Sequence, residues 1–189
     1  MGYSSDICRS FFIDPPKDNC KHHLAYSAGL GISRHFHPLL SFLKGKADSA
    51  SQPTEPSIIE SRNSLHALKL EIWSLVLAAQ DSTVLTFTPA HTAADVDIAA
   101  RGVISSAGYG KEFTHRVGHG IGIKAHESPY LNKGNTGTRL KPGMTFTSEP
   151  GVYLEGRFGV RHEDIFLVKD EGEEAECLSG KRATGPYDP

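Results

Sequence analysis

Cysteine is scarce in this chain: Cys8, Cys20 and Cys177 are the only three in 189 residues, and no two form a CxxC pair. They are too few for a disulfide-built scaffold or a thiolate metal site, and their odd number fits a reducing compartment. Long apolar runs are missing as well. No stretch reaches the roughly eighteen apolar residues of a membrane span, and the first twenty residues hold no apolar signal segment. A soluble, cytoplasmic protein with no membrane partner is therefore expected. A surplus of one charge is also lacking: 20 Lys and Arg oppose 22 Asp and Glu, a formal net charge of -2. Without a basic run interleaved with aromatics, nothing tracks a phosphate backbone, and nucleic acid is not expected as a partner.

What is present suffices for one domain, since hydrophobic residues make up 38% of the chain. Residues 1–13 predict a short strand carrying Asp6 and Arg9, belonging to the incomplete start of a domain. Residues 14–57 contain DPPKDNCKHH and KGKADSASQPTEPS, which read as an insertion or irregular linker; His22, His23, His35 and His37 lie there and receive no role. Residues 58–175 form the main part of the expected domain. Helical spacing over 58–80 aligns Leu65, Leu68, Ile72, Leu75 and Ala79 on one face. A second helix follows Pro89, with Thr92 as cap, Val96, Ala99, Ala100 and Val103 on its apolar side, and Gly108 as stop. Beyond it, 113–123, 144–154 and 159–170 read as strands, with a loop across HESPYLNKGNTGTRLKPG. Residues 176–189 read as a surface tail.

Two helices followed by strands bearing polar residues predict an α+β domain whose sheet holds a site. The candidates are His115, His119 and His126, then Glu149, then Arg161 to Asp164, and Asp6 upstream. Imidazole with carboxylate suits Mn, Co, Fe or Zn as divalent ions, whereas an all-oxygen set would suit Ca or Mg. On a strand, Arg161 and Glu163 share one face and His162 and Asp164 the other, so Glu163 would face a metal beside Arg161. His119 lies between glycines, where backbone can approach a ligand closely. Glu149 precedes Pro150 and Gly151, which bend a strand just beyond the acid. Taken singly, each histidine also fits a structural or solvated role.

Together these residues resemble a known family. FTHRVGHGIGIKAHESPY followed by LKPGMTFTSEPGVYLEGRFGVRHED is similar to the C-terminal signature of the pita-bread metallopeptidases, in the branch of proline-specific aminopeptidases and prolidases. GYSSDICRSFF resembles that family's upstream metal-binding strand. The implied fold is a curved antiparallel sheet covered by helices, a truncated pita-bread fold with a two-metal site in its hollow. By resemblance, Asp6, His119, Glu149 and Glu163 are metal ligands. His115, His126, Glu149 and Arg161 are the catalytic group, with Glu149 as proton shuttle. The implied cofactor is a divalent metal, Mn before Co, Zn or Fe. The implied reaction is hydrolysis of an Xaa-Pro bond, releasing an N-terminal residue or splitting a dipeptide, so the expected partner is a proline-containing peptide. The resemblance also admits a homodimer.

The chain departs from that pattern at its start. The family places another metal-binding aspartate upstream of the residue matching Asp6, but only five residues precede Asp6 and none is acidic. The intact set of two Asp, two Glu and one His offers -4 to two cations; Asp6, Glu149 and Glu163 offer -3. One metal or none is therefore expected, and turnover by this piece alone is left open. The same scaffold serves creatine hydrolysis and a dimethylsulfoniopropionate lyase, which stand as alternative reactions. A binding module that keeps the pocket without the chemistry is the non-enzymatic alternative.

Overall fold

The computed structural model describes residues 8–9 and 55–187. Asp6 and most of segment 14–57 lie outside the described residues. Helix α1 spans Glu55–Val84, longer at both ends than the expected 58–80. It takes in Pro56, whose missing N–H costs no bond in a first turn. The buried side of α1 is formed by Ile72, Trp73, Val76, Ala79, Gln80 and Thr83, with Leu68 and Leu75 packed at its margin. Helix α2 spans Ala93–Ser106. Its start is a capping box: the Thr92 hydroxyl accepts from Asp95 N, and Asp95 Oδ2 accepts from Thr92 N at 2.7 Å. Its end is the expected one, because Gly108 follows the last turn with φ +89, a conformation an L side chain resists.

Seven strands are described: β1 (Cys8–Arg9), β2 (Gly118–Gly120), β3 (Glu127–Leu131), β4 (Thr145–Ser148), β5 (Gly151–Leu154), β6 (Phe158–Leu167) and β7 (Glu176–Cys177). They form one curved antiparallel sheet in the order β1-β6-β4-β2-β3, with β5 and β7 also paired to β6. Central to it is β6, whose alternating pattern was legible in the sequence. Toward α1 it turns His162, whose ring meets Trp73 edge-on at 4.8 Å, and Asp164, which accepts from Gln80 Nε2 at 3.1 Å. Between helices and sheet, the rings of Phe87, Phe146 and Phe166 stack at centroid distances of 6.0 and 5.5 Å. Burying each contributes about 2 to 3 kcal/mol. Val96, Ala100 and Ile104 of α2 complete the core.

Four sequence expectations change. Residues 113–117 do not join a strand; their carbonyls and an amide bond to side chains of α2 instead. The expected strand 144–154 is two strands, broken at Glu149 and Pro150. The loop after His126 contains β3, which tolerates Pro129 because it is the outer strand, where a missing donor breaks no ladder. Residues beyond 175 supply β7, bury Ala183, and anchor Arg182 to Gln80 Oε1 and Asp81 Oδ1, each at 2.7 Å.

Candidate metal centre

Strands β6, β4 and β2 are neighbours in space although their sequences are far apart, and their shared concave side gathers the acid and imidazole groups. His119 stands in the middle of β2, Glu149 at the break after β4, and Glu163 on β6. One donor atom from each lies within 4.8 Å of the others. Donors on a single divalent ion at about 2.0 to 2.2 Å lie within about 4.4 Å of one another, so a small inward shift completes such a set.

The orientation of His119 is set by its other nitrogen. Nδ1 lies 3.0 Å from the Gly120 carbonyl oxygen, which can only accept, so Nδ1 carries the hydrogen. Nε2 then turns toward Glu149 Oε1 at 3.3 Å, yet this fully buried nitrogen makes no directional hydrogen bond. Lone pair against carboxylate is repulsive unless a cation or proton lies between them. Two carboxylates and one neutral imidazole carry -2, the charge of one divalent cation. The residues present therefore fit such an ion on chemistry and on charge.

Electrostatics hold Glu149 in its ligand form and draw a positive charge, a proton or a cation in its place, to His119. Burial pushes the Glu149 carboxyl up, but His119, Arg161 and His115 together outweigh it and hold the pKa below the usual value. Burial likewise opposes charge on His119, but Glu149 and the Gly120 carbonyl outweigh it and the imidazole is raised. Arg161 lies 3.5 Å from Glu163 Oε2 and 4.0 Å from Glu149 Oε2, on the same face as Glu163, as strand alternation predicts.

Thr147 was not identified from sequence. Its hydroxyl accepts from His119 N at 3.1 Å and donates to Glu149 Oε1 at 3.5 Å, so one side chain ties two members of the triad. The T-x-E spacing on one strand face was the available signal. The glycine flanking His119 also serves a purpose other than the expected approach to a ligand. A Cβ at Gly118 would stand 2.0 Å from Thr147 O, so it is β4 that comes close.

His126 is exposed, with its ring 4.3 Å from that of His119. His115 is not drawn into the triad. Its Nδ1 lies 2.7 Å from Arg116 O and its Nε2 2.9 Å from the hydroxyl of Tyr153, another residue sequence reasoning missed. Burial, only partly offset by Arg116 O and Glu149, lowers its pKa. Asp6 lies outside the described residues.

Residues 60–170, more than half of the chain, match the model of metallopeptidase family M24. An uncharacterized peptidase of Schizosaccharomyces pombe is 43% identical over 121 residues, covering 63% of this chain and 26% of that protein. Among solved structures, dipeptidase PepE from Mycobacterium ulcerans is 42% identical with a TM-score of 0.56, covering 59% of this chain and 29% of that one. Prolidase from Pyrococcus furiosus is 35% identical with a TM-score of 0.56, covering 69% and 34%. X-Pro aminopeptidase from Thermotoga maritima is 38% identical with a TM-score of 0.55, covering 59% and 31%. The chain thus spans about a quarter of the curated relative and about a third of these structures. With its helix pair, curved sheet and His, Glu, Glu cluster, this chain belongs to metallopeptidase family M24.

Proposed function

We propose that His119, Glu149 and Glu163 hold a divalent cation, Mn(II) before Co(II), Zn(II) or Fe(II), in a hydrolase that cleaves an Xaa-Pro bond. The observation that carries this reading is the buried Nε2 of His119, aimed at a carboxylate while Nδ1 is committed to Gly120 O. The proteins it resembles support the substrate class, since they include a dipeptidase, a prolidase and an X-Pro aminopeptidase.

When bound, the cation would polarise the scissile carbonyl and make water a competent nucleophile near neutral pH. The chain's own residues do the rest. Glu149, held ionised, takes a proton from the attacking water at Oε2, the oxygen turned toward Arg161, and delivers it to the departing proline nitrogen. The water oxygen joins the carbonyl carbon first, and the C–N bond breaks as the carbonyl re-forms and the nitrogen takes its proton from Glu149. His126, at the solvent side of His119, faces the carbonyl oxygen as charge develops on it. His115, kept neutral by burial and oriented by Tyr153, lines the approach. Arg161 keeps Glu163 and Glu149 in register through charge.

The test is to load the chain with Mn(II) and follow an Xaa-Pro peptide beside its Xaa-Ala counterpart. Cleavage of the proline peptide, abolished by chelation and by Glu149→Gln, is expected, at a lower rate than the Thermotoga maritima enzyme under the same conditions. A chain that binds Mn(II) but leaves both peptides intact would instead favour a binding module, and cleavage unaffected by chelation would reject the metal reading.

A further inference from the structure

Asp97 lies on α2, away from the triad, with its side chain only 1% exposed. Both its oxygens are fully engaged. Oδ1 accepts from Val117 N at 2.9 Å and Arg101 Nη2 at 3.0 Å; Oδ2 accepts from Arg101 Nε at 2.9 Å and Lys133 N at 3.1 Å. Arg101 extends the network, donating through Nη1 to Phe113 O at 2.9 Å and through Nη2 to His115 O at 2.7 Å, with its guanidinium 4.3 Å from the Phe113 ring centroid.

An acid and an arginine four residues apart on a helix form a pair at the surface without burial. Burying the carboxylate is costly unless its bonds do something a surface pair cannot. Here they fasten two backbone segments. Val117 leads directly into β2, two residues before His119. Lys133 follows β3, two residues after Leu131, the partner of Gly118 in the ladder. Arg101 meanwhile holds the stretch from Phe113 to His115, which has no helix or strand of its own.

We propose that Asp97 and Arg101 are positioning residues for the candidate metal centre: by clamping the entry to β2 and the exit from β3, they set the placement of His119 and His115 and thereby the affinity for a divalent cation. The inference rests on the metal reading above and adds residues from a helix that supplies no member of the triad.

The test uses the full 189-residue chain with Asp97→Asn and Arg101→Lys, and with Thr92→Ala, which loosens the start of the same helix without touching the clamp. Mn(II) affinity is read from the EPR signal of the free ion, and amide exchange at Val117 and Lys133 is read without metal. Both clamp variants are expected to raise the Kd about tenfold or more, and Asp97→Asn to speed exchange at both amides. Thr92→Ala should leave the Kd within about twofold, as a separate site. Should Asp97→Asn fail to fold, Arg101→Lys, which keeps the charge but loses the fork, carries the comparison. Wild-type affinity in a folded clamp variant, or an equal loss in Thr92→Ala, overturns the inference alone. A wild-type chain that takes up no Mn(II) overturns the metal reading and this inference with it.

Discussion

His119 places its Nε2 3.3 Å from Glu149 Oε1 while its Nδ1 is spent on the Gly120 carbonyl. That pairing of lone pair with carboxylate makes sense around a cation. Glu149→Gln and Glu163→Gln should each weaken Mn(II) binding by at least about 100-fold, beyond what loss of an outer partner does. Isothermal titration checks this, and wild-type affinity in either variant would contradict it.

If the ion binds the folded chain and not the unfolded one, it must also stabilise the fold. Mn(II) at 100 times its Kd should add about 2.7 kcal/mol, seen as a higher Tm that EDTA reverses. Calorimetry with and without chelator measures it.

Gly118 leaves no room for a side chain against the backbone of Thr147 in β4. A Cβ there would stand 2.0 Å from Thr147 O, and backbone cannot yield as a flexible side chain does. Gly118→Ala should destabilise by about 2 kcal/mol or more. A urea midpoint that does not move would show that the strands do not approach so closely.

The capping box gives the pH prediction. The Thr92 amide and hydroxyl hold the Asp95 pKa below its ordinary value. A carboxyl depressed in the folded state contributes stability that is present above its unfolded pKa, near 3.8, and is lost as pH falls through the lower folded pKa. The stability gap between wild type and Asp95→Asn should therefore be full at neutral pH and close in acid. Thr92→Ala should cost about 1 kcal/mol. Urea unfolding across pH tests both.

His115 offers a spectroscopic check. Burial holds its pKa below the ordinary 6.5, so NMR of its ring protons should show a midpoint below that value. A His115 midpoint above 6.5 would contradict the environment described for it.

The helices were readable because local signals agreed: apolar spacing, Thr92 as a cap, and Gly108 at the end of α2. Strand β6 was readable from its alternation. Strand β3 was not, because Pro129 and the polar residues of ESPYL read as a turn, and only pairing with β2 makes them a strand. For the site, the candidates were visible as polar residues on apolar strands and their roles came from the resemblance to the family, while the convergence of His119, Glu149 and Glu163 is a product of sheet order that no spacing encodes. Asp97 and Arg101 carried a local signal, a pair at i and i+4, but their partners are backbone groups distant in sequence. Such bonds leave no mark on composition or period.

The most direct measurement is elemental analysis of the purified chain after Mn(II) loading and gel filtration, beside His119→Ala and Glu163→Gln. The account predicts one Mn(II) per wild-type chain and none retained by either variant. A wild-type chain without metal, or variants that keep it, would contradict the claim that these three side chains form a metal centre.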